Sequence, residues 1–170
     1  MMWHWFIAAL LGLAALTTAK PLADGSDRRG RFRRAVIAAA RSQLGQTDSA
    51  PYWRDVLSPN GPWPPAWCGA FALWAIHQAG LGLGIKWDVG SGFCHHLKPT
   101  RMPQPGDVAY FDKLQHHALV AEVDYQRGTM TTIDGNSDGG AVVEHQHVPL
   151  SKAAGFFSID PWIDAETASG

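Results

Sequence analysis

Cys68 opens an apolar, helix-like run, Trp67 to Ala79 (WCGAFALWAIHQA), with Pro64-Pro65 ahead of it and Gly80 behind it. A free thiol ionises near pH 8.5, so only a few per cent is nucleophilic at neutral pH. A helix N-terminus contributes about 0.3–1 kcal/mol, less than one pKa unit, whereas a protonated imidazole partner lowers a thiol several units further. His116 and His117, at the head of the run HHALVAEV, are the imidazoles in the chain best placed to serve. Asp134 and Asn136, two residues apart and so on one strand face, are the groups that could fix the tautomer and orientation of such a ring. Thiol, imidazole and a polar orienting group are the parts of a covalent acyl-transfer site, and that chemistry needs no cofactor.

Alternation along the strand separates the two histidines. His117 shares a face with Leu119, Ala121 and Val123, the side expected to pack on the helices. His116 shares its face with Ala118, Val120, Glu122 and Asp124, which turns acidic toward water. The expected base is therefore His117, with His116 turned away or into the mouth, where it could touch substrate. Trp63 and Trp67 flank the nucleophile and are candidate walls of a substrate groove, with aromatic core packing as the competing reading.

Two elements must position these groups. Arg33 to Leu44, Ala-rich and stopped by Gly45, predicts a helix, and Trp67–Ala79 predicts a second. Gln46 to Pro65, with its prolines and aspartates, reads as an irregular loop. After Pro105-Gly106 the pattern changes from helical to alternating. Strands are expected at Asp107–Phe111, His117–Val123, Thr129–Ile133, Ala141–Val148 and Phe156–Ile159. Helices followed by short antiparallel strands make an α+β fold.

The chain has 170 residues, 46% of them apolar, which suits one ordinary domain with its own core. Its net charge of −1 excludes a general nucleic-acid binder, and a monomer is expected. Phe6 to Leu16 is apolar without interruption and is followed by Thr17-Thr18-Ala19, which reads as a signal peptide over 1–19 with cleavage before Lys20. From Trp3 to Leu16 a helix is about 21 Å long, short of the roughly 30 Å hydrocarbon core, so at most a weak membrane anchor is expected instead. An exported, periplasmic or extracellular, protein follows. Between Lys20 and Arg41 lie seven basic and two acidic residues, net +5; the remainder carries seven and thirteen, net −6. Residues 20–34 read as a basic linker, 35–162 as the domain and 163–170 as a tail. Arg28, Arg29, Arg31, Arg33 and Arg34 could touch an anionic membrane or wall polymer.

Competing chemistry was weighed on the same residues. Cys94-His95-His96 with His145 and His147 suggests a zinc-binding metallohydrolase, yet no HExxH or CxxC spacing accompanies them. A Cys68–Cys94 disulfide would abolish the thiol reading. A wall-binding module without catalysis is a third class.

The blocks WCGAFALWAIHQAG, PQPGDVAYF, HHALVAEV and IDGNS, in that order, resemble the cysteine-histidine-dependent amidohydrolase/peptidase (CHAP) family, related to NlpC-type peptidases. The likeness runs from about Ala35 to Ile159. It implies a papain-like core, a nucleophile at Cys68, a base at His117, polar partners at Asp134 and Asn136, and peptidoglycan amide bonds as substrate. The chain departs from the family in having His116 where Gly is frequent and Asp134 where Glu is common.

Overall fold

A computed structural model describes residues 25–87 and 92–169. The expected signal segment 1–19 lies outside the described residues, as does Asp88–Ser91 of the Gly-rich stretch. Four helices, α1 (Gly25–Arg41), α2 (Ala50–Val56), α3 (Cys68–Gln78) and α4 (Asp160–Ala168), accompany six strands: β1 (Lys98–Thr100), β2 (Val108–Phe111), β3 (His116–Asp124), β4 (Thr129–Ser137), β5 (Ala141–Pro149) and β6 (Gly155–Ser158). The strands form one sheet in the order β1-β6-β2-β3-β4-β5, antiparallel at every pairing. The fold is α+β, as expected.

Alternation sorts the sheet into two faces. Val108, Leu119, Ile133 and Val142 pack with the helices in the main core, while Ala109, Val120 and Met130 form a smaller cluster on the other side. α3 is apolar all round and lies buried between that sheet face and its neighbouring helices, so nearly every residue from Cys68 to His77 is buried. α1 lays Val36, Ile37 and Ala40 onto this core, the i, i+1, i+4 stripe of a surface helix.

Several elements differ from the sequence reading. The basic linker 20–34 is helical from Gly25 onward, with Asp27 in the favourable first turn and bonded to Arg31 one turn later. Arg33 is withdrawn from any basic arm. The residue is 6% exposed, and its guanidinium bonds Asp107 and Asp160 at 2.8 Å each, tying α1 to the start of β2 and to α4. The expected loop 46–65 contains α2, because Pro51 starts a turn and Tyr52, Trp53 and Val56 share one apolar side that is fully buried. The expected tail 163–170 belongs to α4, held by Pro161 in its first turn and by Ile163, which is fully buried. The short edge strand β1 escaped notice because three residues including a proline carry no periodicity.

Candidate active site

Three elements converge at one end of the sheet. Cys68 is the first residue of α3, His116 and His117 are the first two of β3, and Asp134 and Asn136 lie in the second half of β4. β3 and β4 run antiparallel with Leu119 opposite Ile133 and Val120 opposite Thr132. Continued toward the strand start, that register sets His116 and Asp134 on one face and His117 with Gly135 on the other. Gly135 faces α3 at close range: a Cβ there would lie 2.6 Å from Cβ of Phe71 and 2.8 Å from the Trp67 ring. The missing side chain lets the helix that carries the nucleophile settle against the strand that carries the carboxylate.

Both histidines reach the thiol. His117 Nδ1 stands 3.8 Å from Cys68 Sγ. His116 donates from Nε2 to Asp134 Oδ2 at 2.9 Å, and its ring also adjoins the thiol. Gln115, just before them, adopts a left-handed backbone (φ 47°) that turns the chain into the strand beside Cys68. His117 is 1% exposed and walled by the rings of Tyr110, Phe93 and Trp87, with centroids 5.0, 5.2 and 5.8 Å away. His116 retains 16% of its side-chain surface and Asp134 8%.

The charges support one another. Burial pushes the Cys68 thiol up, but the His116 and His117 rings beside it outweigh that and bring it down to about 6. Burial likewise pulls His116 down, and Asp134 together with the Cys68 sulfur reverses this and raises it to about 9. Between these values Cys68 is thiolate and His116 imidazolium. Cys94 is the contrast: it is buried with no compensating charge and is pushed up to about 12, an inert thiol.

The sequence-derived candidates sort as follows. Cys68, His117, His116 and Asp134 come together. Asn136 lies beside them on β4, but its left-handed backbone (φ 57°) leads into the Asp138–Gly140 turn, and among the described residues no hydrogen bond joins it to either ring. His116, expected to turn away or into the mouth, lies on the face opposite His117 and partly exposed, and the β3–β4 register makes it the ring that meets the carboxylate. Trp63 is half-buried, donates to the Ser58 carbonyl at 3.2 Å and lies under the Arg54 guanidinium. Trp67 is 4% exposed and stacks on Tyr52 at 5.3 Å, so it packs the core beneath the nucleophile and offers no face to a groove.

The two cysteines are both free thiols. His95 and His96 are exposed, while His145 pairs with the Ser137 hydroxyl. Among the described residues no group of three or more His, Cys, Asp or Glu side chains is placed to hold a metal ion.

Residues 60–136 match the family model of the CHAP domain. That segment is similar to the CHAP family. The match spans Cys68, both histidines, Asp134 and Asn136, the whole constellation just described. CHAP domains are papain-like hydrolases, usually cysteine-dependent, that act on peptidoglycan. No curated protein and no solved structure matches the chain.

Sequence reasoning missed the aromatic wall around His117. Tyr110 was within reach, since it alternates with the core residue Val108 and pairs with His117 in the β2–β3 register. Trp87 lies in irregular chain and Phe93 in a single short 3-10 turn, Gly92–His96, and neither left a periodic signal. Gly69 was also passed over: a Cβ there would fall 2.1 Å from the Trp87 ring and 3.0 Å from His117 Nδ1.

Proposed function

We propose that this chain hydrolyses amide bonds of peptidoglycan through the Cys68 thiolate, with His116 held by Asp134 as the proton-transfer group. The observation that supports the reading is a buried thiol at a helix start with two imidazoles beside it, His117 with Nδ1 at 3.8 Å and His116 with Nε2 bonded to the Asp134 carboxylate. Sequence alternation favours His117 as the base. The geometry favours His116, because Asp134 fixes its tautomer with Nε2 as donor and leaves Nδ1 to exchange the proton.

In this reading Cys68 Sγ attacks the amide carbonyl carbon, and the carbonyl electrons move onto oxygen. The first N–H groups of α3 have no intrahelical acceptor and are available to the oxyanion. The intermediate collapses as His116 Nδ1 gives its proton to the leaving amine. Water then attacks the thioester, His116 takes up its proton, and the C–S bond breaks to return the thiolate.

A peptidoglycan substrate and the signal-like sequence of residues 1–19 together support a proposed site of action outside the cytoplasm. Among the described residues no helix is long and apolar enough to cross a membrane. Of the arginines in this run Arg28 is the one left without an ion pair among the described residues to meet an anionic wall polymer, since Arg33 is buried, Arg29 pairs with Asp164, and Arg31 and Arg34 pair with Asp27.

Digestion of purified sacculi decides the reading. Wild type should release new amino groups and peptides, and Cys68→Ala should release none. Equal release by both would refute it, and mass analysis of the digest names the bond cut.

A further inference from the structure

His117 is an imidazole that a cysteine–histidine–carboxylate site does not require. The carboxylate is already spent on His116, and the surroundings of His117 are unlike those of a proton-transfer group. His117 is 1% exposed, its Nε2 is buried without a partner among the described residues, and Tyr110, Phe93 and Trp87 enclose the ring. An imidazolium there would bury a second N–H against apolar rings with nothing to accept it, the costlier state. A neutral ring needs only one good hydrogen bond, and the hydrogen-bond partner that His117 has among the described residues is Cys68 Sγ, 3.8 Å from Nδ1. Nδ1 must then carry the hydrogen and Nε2 the unpaired lone pair.

We propose that His117 is a neutral, permanently oriented N–H donor that holds the Cys68 thiolate, while His116 alone exchanges protons. The division of labour rests on the hydrolytic reading above and deepens it: one ring sets how much nucleophile exists, and the other moves the proton. Locking is structural. Gly69 leaves just enough room for Trp87 and His117 to press against the start of α3, and the β2–β3 register sets Tyr110 directly beside the His117 ring. The ionisable groups facing the thiol are His116 and His117 from β3, Asp134 from β4 behind His116, Tyr110 from β2, and Cys94 from the turn before β1. Tyr110 and Cys94 are both held above their ordinary values by burial, so neither changes charge where Cys68 ionises.

The test is the pH dependence of iodoacetamide alkylation at Cys68 in the full chain, followed by mass spectrometry of the Cys68 peptide so that Cys94 does not contribute. His117→Phe keeps the ring in its aromatic wall and removes the N–H. It should move the alkylation midpoint up by about one to two pH units, a tenfold to hundredfold loss of thiolate at the acid side. His117→Asn keeps an N–H near the Nδ1 position and should restore the midpoint to within about half a unit of wild type. An unchanged midpoint in His117→Phe overturns the proposal, as does the same rise in both variants. If His117→Asn retains the midpoint but loses hydrolysis as completely as Cys68→Ala, His117 is a base, and the proposal fails. Should His117→Phe not fold, nitrogen-15 NMR of wild-type imidazoles at pH 7.5 decides: the Nδ1–H neutral tautomer is expected, and an imidazolium or Nε2–H tautomer overturns it. Alkylation requires no peptidoglycan, so failure of the hydrolytic reading leaves these outcomes separately readable.

Discussion

His116 and Asp134 meet across neighbouring strands at 2.9 Å, although eighteen positions separate them in the chain. The contact joins the start of β3 to the second half of β4, and it gives the carboxylate to His116, where alternation along the strand favours His117. Asp134 keeps its other oxygen buried without a partner, so the carboxylate is dedicated to this one ring among the described residues.

Replacing either member of that pair should be costly in distinct ways. His116→Ala should lower turnover on peptidoglycan by about 10²- to 10⁴-fold, the usual contribution of a general acid–base group. Asp134→Asn should keep the shape, remove the charge, and let the His116 value fall back from about 9 toward that of an ordinary imidazole. Initial rates of the two variants on sacculi check both; a fully active His116→Ala would move the proton-transfer role elsewhere.

The pH profile of turnover should be a bell. Its acid limb follows ionisation of Cys68 at about 6 and its alkaline limb loss of the His116 proton at about 9. Stability should follow the same pair. The lowered thiol contributes stability above its ordinary value, and this is lost as pH falls through about 6. The raised imidazole contributes below its ordinary value, and this is lost as pH rises through about 9. Urea unfolding of wild type and His116→Ala at pH 5, 7.5 and 10 measures this, and the difference between them should be smallest at pH 10, where the His116 charge is gone.

Arg33 is a prediction about folding. Its guanidinium faces Asp107, 1% exposed in its side chain, and the half-buried Asp160. Arg33→Ala leaves the Asp107 charge buried and should cost about 3–5 kcal/mol in urea unfolding. Adding Asp107→Asn to that variant should recover part of the loss, since the uncompensated charge is then gone.

Gly135 should not accept even one methyl group. Gly135→Ala would press a Cβ into Phe71 and Trp67, forcing α3 away from β4 at a cost of about 1–3 kcal/mol. Because α3 carries Cys68, turnover should fall beyond what the stability loss explains. Gly128→Ala, in a turn where nothing lies within 4 Å of the added carbon, is the control for the backbone strain of a glycine substitution away from the site.

The sequence by itself determined the elements that have a period. α3 and the strands β2 to β6 were legible because helical and alternating burial each repeat along the chain, and with them came the α+β class and the order of the Cys, His and Asp blocks. Short elements were not legible: β1 has three residues and α2 seven, too few for a repeat to stand out from the prolines around them. The choice between His116 and His117 lay beyond sequence for a different reason. Alternation tells which side a residue takes, but at the end of a strand both sides are reachable from a helix that crosses there, and the left-handed turn at Gln115 brings both rings to Cys68. Only the pairing of β3 with β4 decides which ring receives the carboxylate, and only the packing of Trp87, Phe93 and Tyr110 decides which ring is denied water. Arg33 makes the same point on the surface: its neighbours in sequence are exposed arginines, and its partners Asp107 and Asp160 become neighbours only when the helix, the sheet and the C-terminal helix close on one another.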